Sequence, residues 1–417
     1  MLKQSNTNWG ITTLILASLL MAPQAWAWEV DHYTLPPGEL VDIGDVITEY
    51  VYDGLIQAIT ELNAELEPHL AQMKQLQAQR SQGQLSNRKT RTTMRRLQAQ
   101  IKQLTTKDAL VDRCFSEIGG GWALSGTIGK WVKSDRLRRR YADLLDSGMV
   151  LSFRPRRDKS IYPVWVTLQR TPIYIPLSPL IKVYNVEMGI DKIGHLFKQG
   201  WQYYGAYRKA LKKGKTDLQA EQAAIQKVGV RTEKTYFGLM GAGVYANADL
   251  AVNYIGLKFW KNLTDPQVIN GTDYPAMLTV QADGTYALDG YYEKNRDKIF
   301  GRYVSYHYNE IFNPNYFVMF PEQVKNLMAR TADVWLKRYS DISESEFIAL
   351  IHELSTWYGE DYGHSKNYKE LYTFTLPNLY KRKHKGSRPA PSLTDPEPKP
   401  KRAQAELAPD SRIRLSK

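Results

Sequence analysis

Two stretches of the sequence place acidic and polar side chains at helical spacing. GIDKIGHLFKQG (189–200) has Asp191 and His195 four residues apart, and NADLAVNYIGLKFW (247–260) has Asp249 and Asn253 four apart. Residues four apart lie on one face of a helix. Polar groups in apolar surroundings are costly unless they are partnered. We therefore predict that Asp249 faces other elements and that His195 is one candidate partner. Gly256 would let another backbone approach closely.

Two further stretches extend this polar set. Glu233 opens a helix predicted over 233–242, and YHYNEIFNP places His307 and Glu310 three residues apart. One hypothesis is a catalytic or metal site, in which the carboxylates and histidines hold a divalent ion such as zinc with an open position for water. The same groups can act as general acid and base without a metal. The candidate catalytic residues are Asp191, His195, Glu233, Asp249, His307 and Glu310, and the candidate metal ligands are His195, Asp249 and His307.

The alternative hypothesis is structural. The polar residues would form a buried hydrogen-bonded network that fixes helix register, with Asp191 as a helix N-cap. No HExxH, GxSxG or paired-cysteine motif decides between the hypotheses, and HELST (352–356) lacks the second histidine of a zinc-protease helix. GEDYGH (359–364) is a weaker second cluster. The sequence leaves open whether the chain is an enzyme.

The polar set also carries a family resemblance. DKIGH resembles the DKxxH signature of VanZ-like and YfiM-like envelope proteins, in which an acid on a second helix and a D-x-x-x-N-x-x-G helix follow. Glu233 and then Asp249–Asn253–Gly256 follow in that order here. Together with HYNEIFNP, these stretches resemble uncharacterised exported bacterial proteins over about residues 180–315. The resemblance implies a shared helical core. VanZ-like proteins are typically embedded in the membrane, whereas this sequence has no predicted transmembrane helix.

The N-terminal residues predict export. Lys3 precedes the apolar run ITTLILASLLMA, and AWA ends at Ala27. This is the pattern of a cleaved secretory signal peptide, and the run is too short to span a bilayer. We therefore expect a mature protein in a bacterial periplasm. The single cysteine, Cys114, excludes an internal disulfide and is expected to be buried.

Charge suggests the kind of partner. The net charge of +13 favours anions, and no nucleic-acid motif is present. In a periplasm the anions are lipid headgroups, lipopolysaccharide or peptidoglycan. We therefore expect an envelope protein that binds such components through a basic surface; the alternative is a metal-dependent or acid/base hydrolase of a lipid-linked or peptidoglycan substrate. The basic face of a predicted helical hairpin consists of Arg88, Lys89, Arg91, Arg95 and Arg96.

Hydrophobic periodicity predicts a mainly α fold with minor β-hairpins. A helical pattern runs from about Val46 to Thr106, with Pro68 as a possible break and SQGQLSN (81–87) as the turn of an antiparallel, coiled-coil-like hairpin suited to self-association. A β-hairpin is predicted around RPRRDKS (154–160). The predicted organisation is a signal peptide at 1–27, an arm with the hairpin at 28–113, a Gly-rich and basic connector at 114–180, a helical core at 181–382 and a disordered basic tail at 383–417.

Overall fold

The computed structural model describes residues 29–83, 88–118, 122–162, 165–168, 171–235, 238–239, 242–269, 271–313, 315–317 and 321–340. Within these ranges the chain is mainly helical with short two-stranded sheets, which confirms the predicted fold class. The predicted signal peptide, the HELST and GEDYGH motifs and the basic tail lie outside the described residues.

The N-terminal half is built from successive helices. The first, Gly44–Ser81, continues through Pro68, so the predicted break is absent. Arg88–Leu104 follows and contacts this first helix, while part of the predicted turn between them lies outside the described residues. The antiparallel coiled-coil arrangement stays a prediction. The remaining helices of this half are Lys107–Glu117, Trp122–Trp131, Asp135–Arg140 and Ala142–Asp146.

The strands are short and pair in twos. In the part of the chain that the structure describes, one pair is parallel, Glu29–Val30 with Leu177–Ser178, and five are antiparallel. The antiparallel pairs are Trp165–Leu168 with Thr171–Tyr174, Leu180–Val183 with Val186–Gly189, Val244–Ala246 with Asn315–Phe317, Gln267–Ile269 with Thr272–Tyr274, and Leu278–Val280 with Tyr286–Leu288. The hairpin predicted around 154–160 is therefore wrong in position, since the paired strands begin at Trp165.

Two long helices form the centre of the fold. The His195 helix consists of an α-helical segment Asp191–Gly194, a π-helical segment His195–Gln199 and an α-helical segment Gly200–Leu211. The Asp249 helix spans Asn247–Asn262. They cross at two glycines: a Cβ on Gly256 would lie 2.1 Å from the Leu196 carbonyl oxygen, and a Cβ on Gly200 would lie 2.6 Å from the Gly256 Cα. The close approach predicted for Gly256 is confirmed.

The other helices pack around this crossing. They are Asp217–Ala224, a π-helical Ile225–Val230, Arg231–Glu233, Gly290–Lys294, and Pro321–Arg338, with 3-10 turns at Arg296–Ile299, Gly301–Tyr303 and Tyr306–Tyr308. No helix in the described ranges is both long and apolar enough to cross a membrane.

One predicted helix is wrong, and one predicted spacing does not produce a helix. The one predicted over 233–242 ends at Glu233, because the chain turns back and the Leu239 N–H donates to the Glu233 carbonyl. Gly238 lies so close to that carbonyl that a Cβ would be 2.2 Å from it. The segment with His307 and Glu310 is a single 3-10 turn that becomes extended at Asn309, so the two side chains do not share a helical face.

Candidate metal centre

A lysine lies at the centre of the polar core. The Lys192 ammonium is 2.8 Å from Asp191 Oδ2, 2.6 Å from Asp249 Oδ1 and 2.8 Å from Glu310 Oε1. The Lys192 side chain is fully buried, and the three carboxylates are at most 8% exposed. Burial alone would lower the pKa of Lys192, but the charges of Asp191, Asp249 and Glu310 hold this pKa well above its usual value. The lysine therefore stays charged and ties three elements together.

The Asp249 helix holds the imidazole of His195 at both ring nitrogens. Asp249 Oδ2 lies 3.4 Å from Nε2, and Asn253 Oδ1 lies 3.1 Å from Nδ1. One helical turn separates the two side chains, so both point at the same ring. The Asn253 amide donates to Gln199 Oε1 at 2.9 Å, which turns its carbonyl oxygen toward the ring.

These contacts fix the tautomer of His195. Because the Asn253 oxygen only accepts, Nδ1 of His195 carries a proton and donates it. In the neutral ring, Nε2 then presents a lone pair toward the Asp249 carboxylate. Two acceptors at this distance repel each other unless a proton or a cation lies between them. Histidines that bind metals usually donate their other ring N–H to a carboxylate, a carbonyl oxygen or water, as Nδ1 of His195 does to Asn253.

Local backbone structure places these groups. His195 begins the π-helical segment, and such segments are frequent at functional sites. Asp191 is the first residue of its helix and does not cap it with its side chain, so the predicted N-cap role is wrong. Gly189 precedes it, and a Cβ there would lie 2.0 Å from Asp191 Oδ1. Only glycine at 189 leaves room for the Asp191 carboxylate.

Asp191, His195 and Asp249 form a group that can hold a metal ion. Each offers one ligand atom, and these atoms lie within 4.8 Å of one another. The 3.4 Å between His195 Nε2 and Asp249 Oδ2 matches the separation of about 3.3 Å between two ligands of a tetrahedral zinc ion. Asp191 Oδ1 is buried without a hydrogen-bond partner in the described part of the chain. This geometry suits a small cation with nitrogen and oxygen ligands.

Two more carboxylates surround the group. Burial and then the Asp249 charge raise the pKa of Glu29 and of Glu233 well above its usual value. Glu233 accepts a weak hydrogen bond from the Ala246 N–H, at 3.4 Å. Glu310 differs, because the Lys192 ammonium and His32 outweigh its burial and hold its pKa below the usual value. The pKa values of Glu29 and Glu233 are therefore shifted in the direction opposite to that of Glu310.

The N-terminal arm, residues 29–33, is part of the core. His32 is fully buried; its Nε2 lies 3.2 Å from the Glu187 carbonyl oxygen, and its Nδ1 accepts from the Glu310 N–H at 3.4 Å. This arm supplies His32 and Glu29, which the sequence analysis did not propose. Lys192 was missed as well, although an adjacent acid–lysine pair, Asp191–Lys192, flanked by Ile190 and Ile193 in an apolar stretch is a signal of partnered burial.

The remaining predicted residue, His307, lies apart from the metal-holding group. Among the described residues that group contains Asp191, His195 and Asp249 only. His307 Nδ1 lies 3.1 Å from Ser305 Oγ, and burial lowers the pKa of His307 to about 4. His307 is therefore neutral at physiological pH.

The centre is enclosed. His195 and Asp249 are its most exposed members, at 5% and 6%. Three surface cavities lined by described residues lie elsewhere and include neither side chain.

No protein-family model matches the chain, and neither a curated protein nor a solved structure matches it at a significant level. The resemblance to VanZ-like and YfiM-like proteins therefore stays a prediction from the DKIGH and D-x-x-x-N-x-x-G patterns.

Proposed function

We propose that the chain is an exported envelope protein that binds one divalent metal ion, such as zinc, through Asp191, His195 and Asp249. The observation that carries this proposal is the approach of His195 Nε2 to Asp249 Oδ2, 3.4 Å apart, with Nδ1 already committed to Asn253, because these two atoms need a cation or a ring proton between them. A cation between Nε2 and the carboxylate removes the repulsion between them. The signal-peptide pattern before Ala27 supports the envelope location.

Formal charge supports a divalent ion. Asp191, Asp249 and Glu310 contribute three negative charges to a buried cluster, and Lys192 contributes one positive charge. Buried charges are costly unless they are compensated. These four side chains alone have a formal charge of about −2, which one divalent cation would neutralise. Lys192 takes one oxygen of Asp191 and one of Asp249 and leaves the other oxygen of each for the metal.

We propose a structural role for this metal. A structural zinc usually has four protein ligands, whereas a catalytic zinc has three and keeps one position open to water and substrate. Three ligands are identified here, and their burial is the observation that favours a structural role. The metal would fix the crossing of the His195 and Asp249 helices, which supply all three ligands. This favours a binding protein over the hydrolase alternative.

Metal content tests the proposal. Protein purified without chelator is expected to contain about one equivalent of metal, and zinc at 100 times its Kd should raise the free energy of unfolding by about 2.7 kcal/mol. His195→Ala and Asp249→Asn should abolish both effects. His69→Ala, a half-buried histidine on the first helix, is the matched control and should retain them.

The absence of metal would contradict this proposal. If the purified protein lacks metal and added zinc does not change its unfolding, the polar core acts through hydrogen bonds and ion pairs alone. The structural hypothesis without a metal would then be correct.

A second function is favoured by the helix Arg88–Leu104. It has no acidic residue and six exposed basic residues, which are Arg88, Lys89, Arg91, Arg95, Arg96 and Lys102. This surface supports binding to anionic envelope components such as lipid headgroups. Each lysine or arginine near an anionic surface contributes about 1 kcal/mol.

Vesicle flotation tests this second function. The full chain is expected to bind phosphatidylglycerol vesicles at low salt and to dissociate at high salt. Combined Arg91→Ala, Arg95→Ala and Arg96→Ala substitutions should weaken binding by roughly 100-fold. Binding that is unchanged by salt and by these substitutions would eliminate this helix as the contact.

A further inference from the structure

A groove of about 750 Å³ lies at the C-terminal end of the His195 helix. Its walls come from this helix, the turn that follows it, the π-helical segment Ile225–Val230 and Asp112 of the helix Lys107–Glu117. A volume of this size is typical of small-molecule sites. The groove is separate from the metal centre, since its lining contains none of the three metal-holding residues.

The rim of the groove is strongly basic. Six of its residues are cationic: Arg208, Lys209, Lys212, Lys213, Lys215 and Lys227. Arg208 and Lys212 are engaged by Asp108, at 2.7 and 3.2 Å. The other four lysines are exposed and form no ion pair among the residues that the structure describes. Their positive charge is therefore available to a ligand.

The floor of the groove is apolar. Ala206, Ala210 and Val228 line it beside Trp201. The Trp201 ring stacks on Phe115 at 4.3 Å between centroids, and its Nε1 donates to Asp112. An aromatic ring fixed in this way offers an apolar face next to a polar rim, as at membrane interfaces.

We infer that this groove binds a single anionic phospholipid molecule, with its phosphate on the lysine rim and the start of its acyl chains on the apolar floor. Four exposed lysines match an anionic headgroup, and the apolar floor matches the adjoining hydrocarbon. A free phosphate would use the rim and leave the floor exposed. This inference rests on the second proposed function and adds a discrete site to it. It does not depend on the metal.

A soluble short-chain lipid tests the inference without a membrane surface. Isothermal titration calorimetry with the full chain should show one site for dihexanoyl-phosphatidylglycerol below its critical micelle concentration. Dihexanoyl-phosphatidylcholine, which has the same chains and no net charge, should bind at least about tenfold more weakly. Glycerol phosphate, which has the anion and no chains, should also bind at least about tenfold more weakly.

Paired variants locate the site. Lys213→Ala with Lys227→Ala should weaken the binding of dihexanoyl-phosphatidylglycerol by roughly 10- to 30-fold. Arg95→Ala with Arg96→Ala removes the same charge from the basic helix and should leave this binding unchanged. Vesicle binding should instead be weakened by the second pair. The two experiments therefore test the groove and the basic helix independently.

Three outcomes would overturn the inference. Equal binding of glycerol phosphate would identify a simple phosphate site, and equal binding of the phosphatidylcholine would exclude recognition of the anion. Equal loss in both variant pairs, or loss in neither, would show that the groove is not the site. Circular dichroism of each variant establishes that it is folded.

Discussion

Lys192→Met tests the ionic organisation of the polar core. Methionine retains an unbranched apolar stem and removes only the ammonium group. That group lies 2.6–2.8 Å from one oxygen of each of three carboxylates, and the side chain has no exposure to solvent. The variant would therefore bury three carboxylates without their shared cation.

The expected cost is large. Removing one partner of a buried ion pair costs about 3–5 kcal/mol, because the remaining charge is left uncompensated. Three contacts share one ammonium here, and methionine fills most of its space, so the charge effect dominates. We expect Lys192→Met to lower the free energy of unfolding at neutral pH by about 3–5 kcal/mol. An exposed pair would contribute about 0–1 kcal/mol.

Urea unfolding followed by tryptophan fluorescence measures this loss. With a slope of about 2–3 kcal/mol per molar urea, the midpoint should fall by roughly 1–2 M. Lys298→Met is the matched control, since Lys298 pairs with Asp297 at 3.1 Å but is 45% exposed. A loss below about 1 kcal/mol in Lys192→Met, equal to the control, would refute the reasoning.

Other predictions follow from individual contacts. Asn253→Ala should weaken zinc binding about 10- to 100-fold in a chelator competition, because the ring it orients is released; unchanged affinity would contradict that role. Gly256→Ala should cost about 1–3 kcal/mol in urea unfolding, since its Cβ would lie 2.1 Å from the Leu196 carbonyl oxygen, whereas Gly126→Ala, with open space at its Cβ, should be neutral or stabilising. The buried His307 has its pKa lowered to about 4, so its stabilising contribution is complete above pH 6.5 and declines by up to about 3 kcal/mol as pH falls toward 4. His307→Asn should flatten the stability profile between these pH values, and an unchanged profile would assign the acid sensitivity to other groups.

The helical framework of the polar core was predictable from local patterns. Asp249, Asn253 and Gly256 lie on one side of a helix whose surroundings are apolar, and this pattern correctly predicts a polar side packed against another backbone. The helix that begins at Asp191 follows Gly189, a residue type that disfavours helix interiors. Periodicity and glycine placement are properties of neighbouring residues, so a single sequence contains them.

Tertiary and turn contacts determine the conformation of the segments whose structure the sequence did not predict. The residues after Glu233 have helical spacing, but their chain folds back onto the Glu233 carbonyl at Gly238. The spacing of His307 and Glu310 suits a helix, but the Glu310 N–H instead donates to His32. In both segments a long-range or turn contact outweighs a weak local preference.

Lys192 and the N-terminal arm show the limit of prediction from the sequence. Lys192 is adjacent to Asp191, but its contacts with Asp249 and Glu310 depend on how three elements pack. Glu29 lies in a two-residue strand and His32 lies just after it, in a segment too short to show a periodicity. Their partners depend on the tertiary fold, which cannot be inferred from the spacing of residues within one segment.

The N-terminal arm also determines when, during synthesis, the core can be completed. His32 accepts from the Glu310 N–H across 278 residues of chain, and its other nitrogen contacts Glu187 across 155 residues. The arm is made first, yet its last partner is made only after most of the chain. Pairings across such long separations form slowly because the intervening chain must be ordered first. A nascent chain that has not reached residue 310 would contain both central helices, but its carboxylates would still be exposed to water. The N-terminal arm would stay unpaired until Glu310 is synthesised.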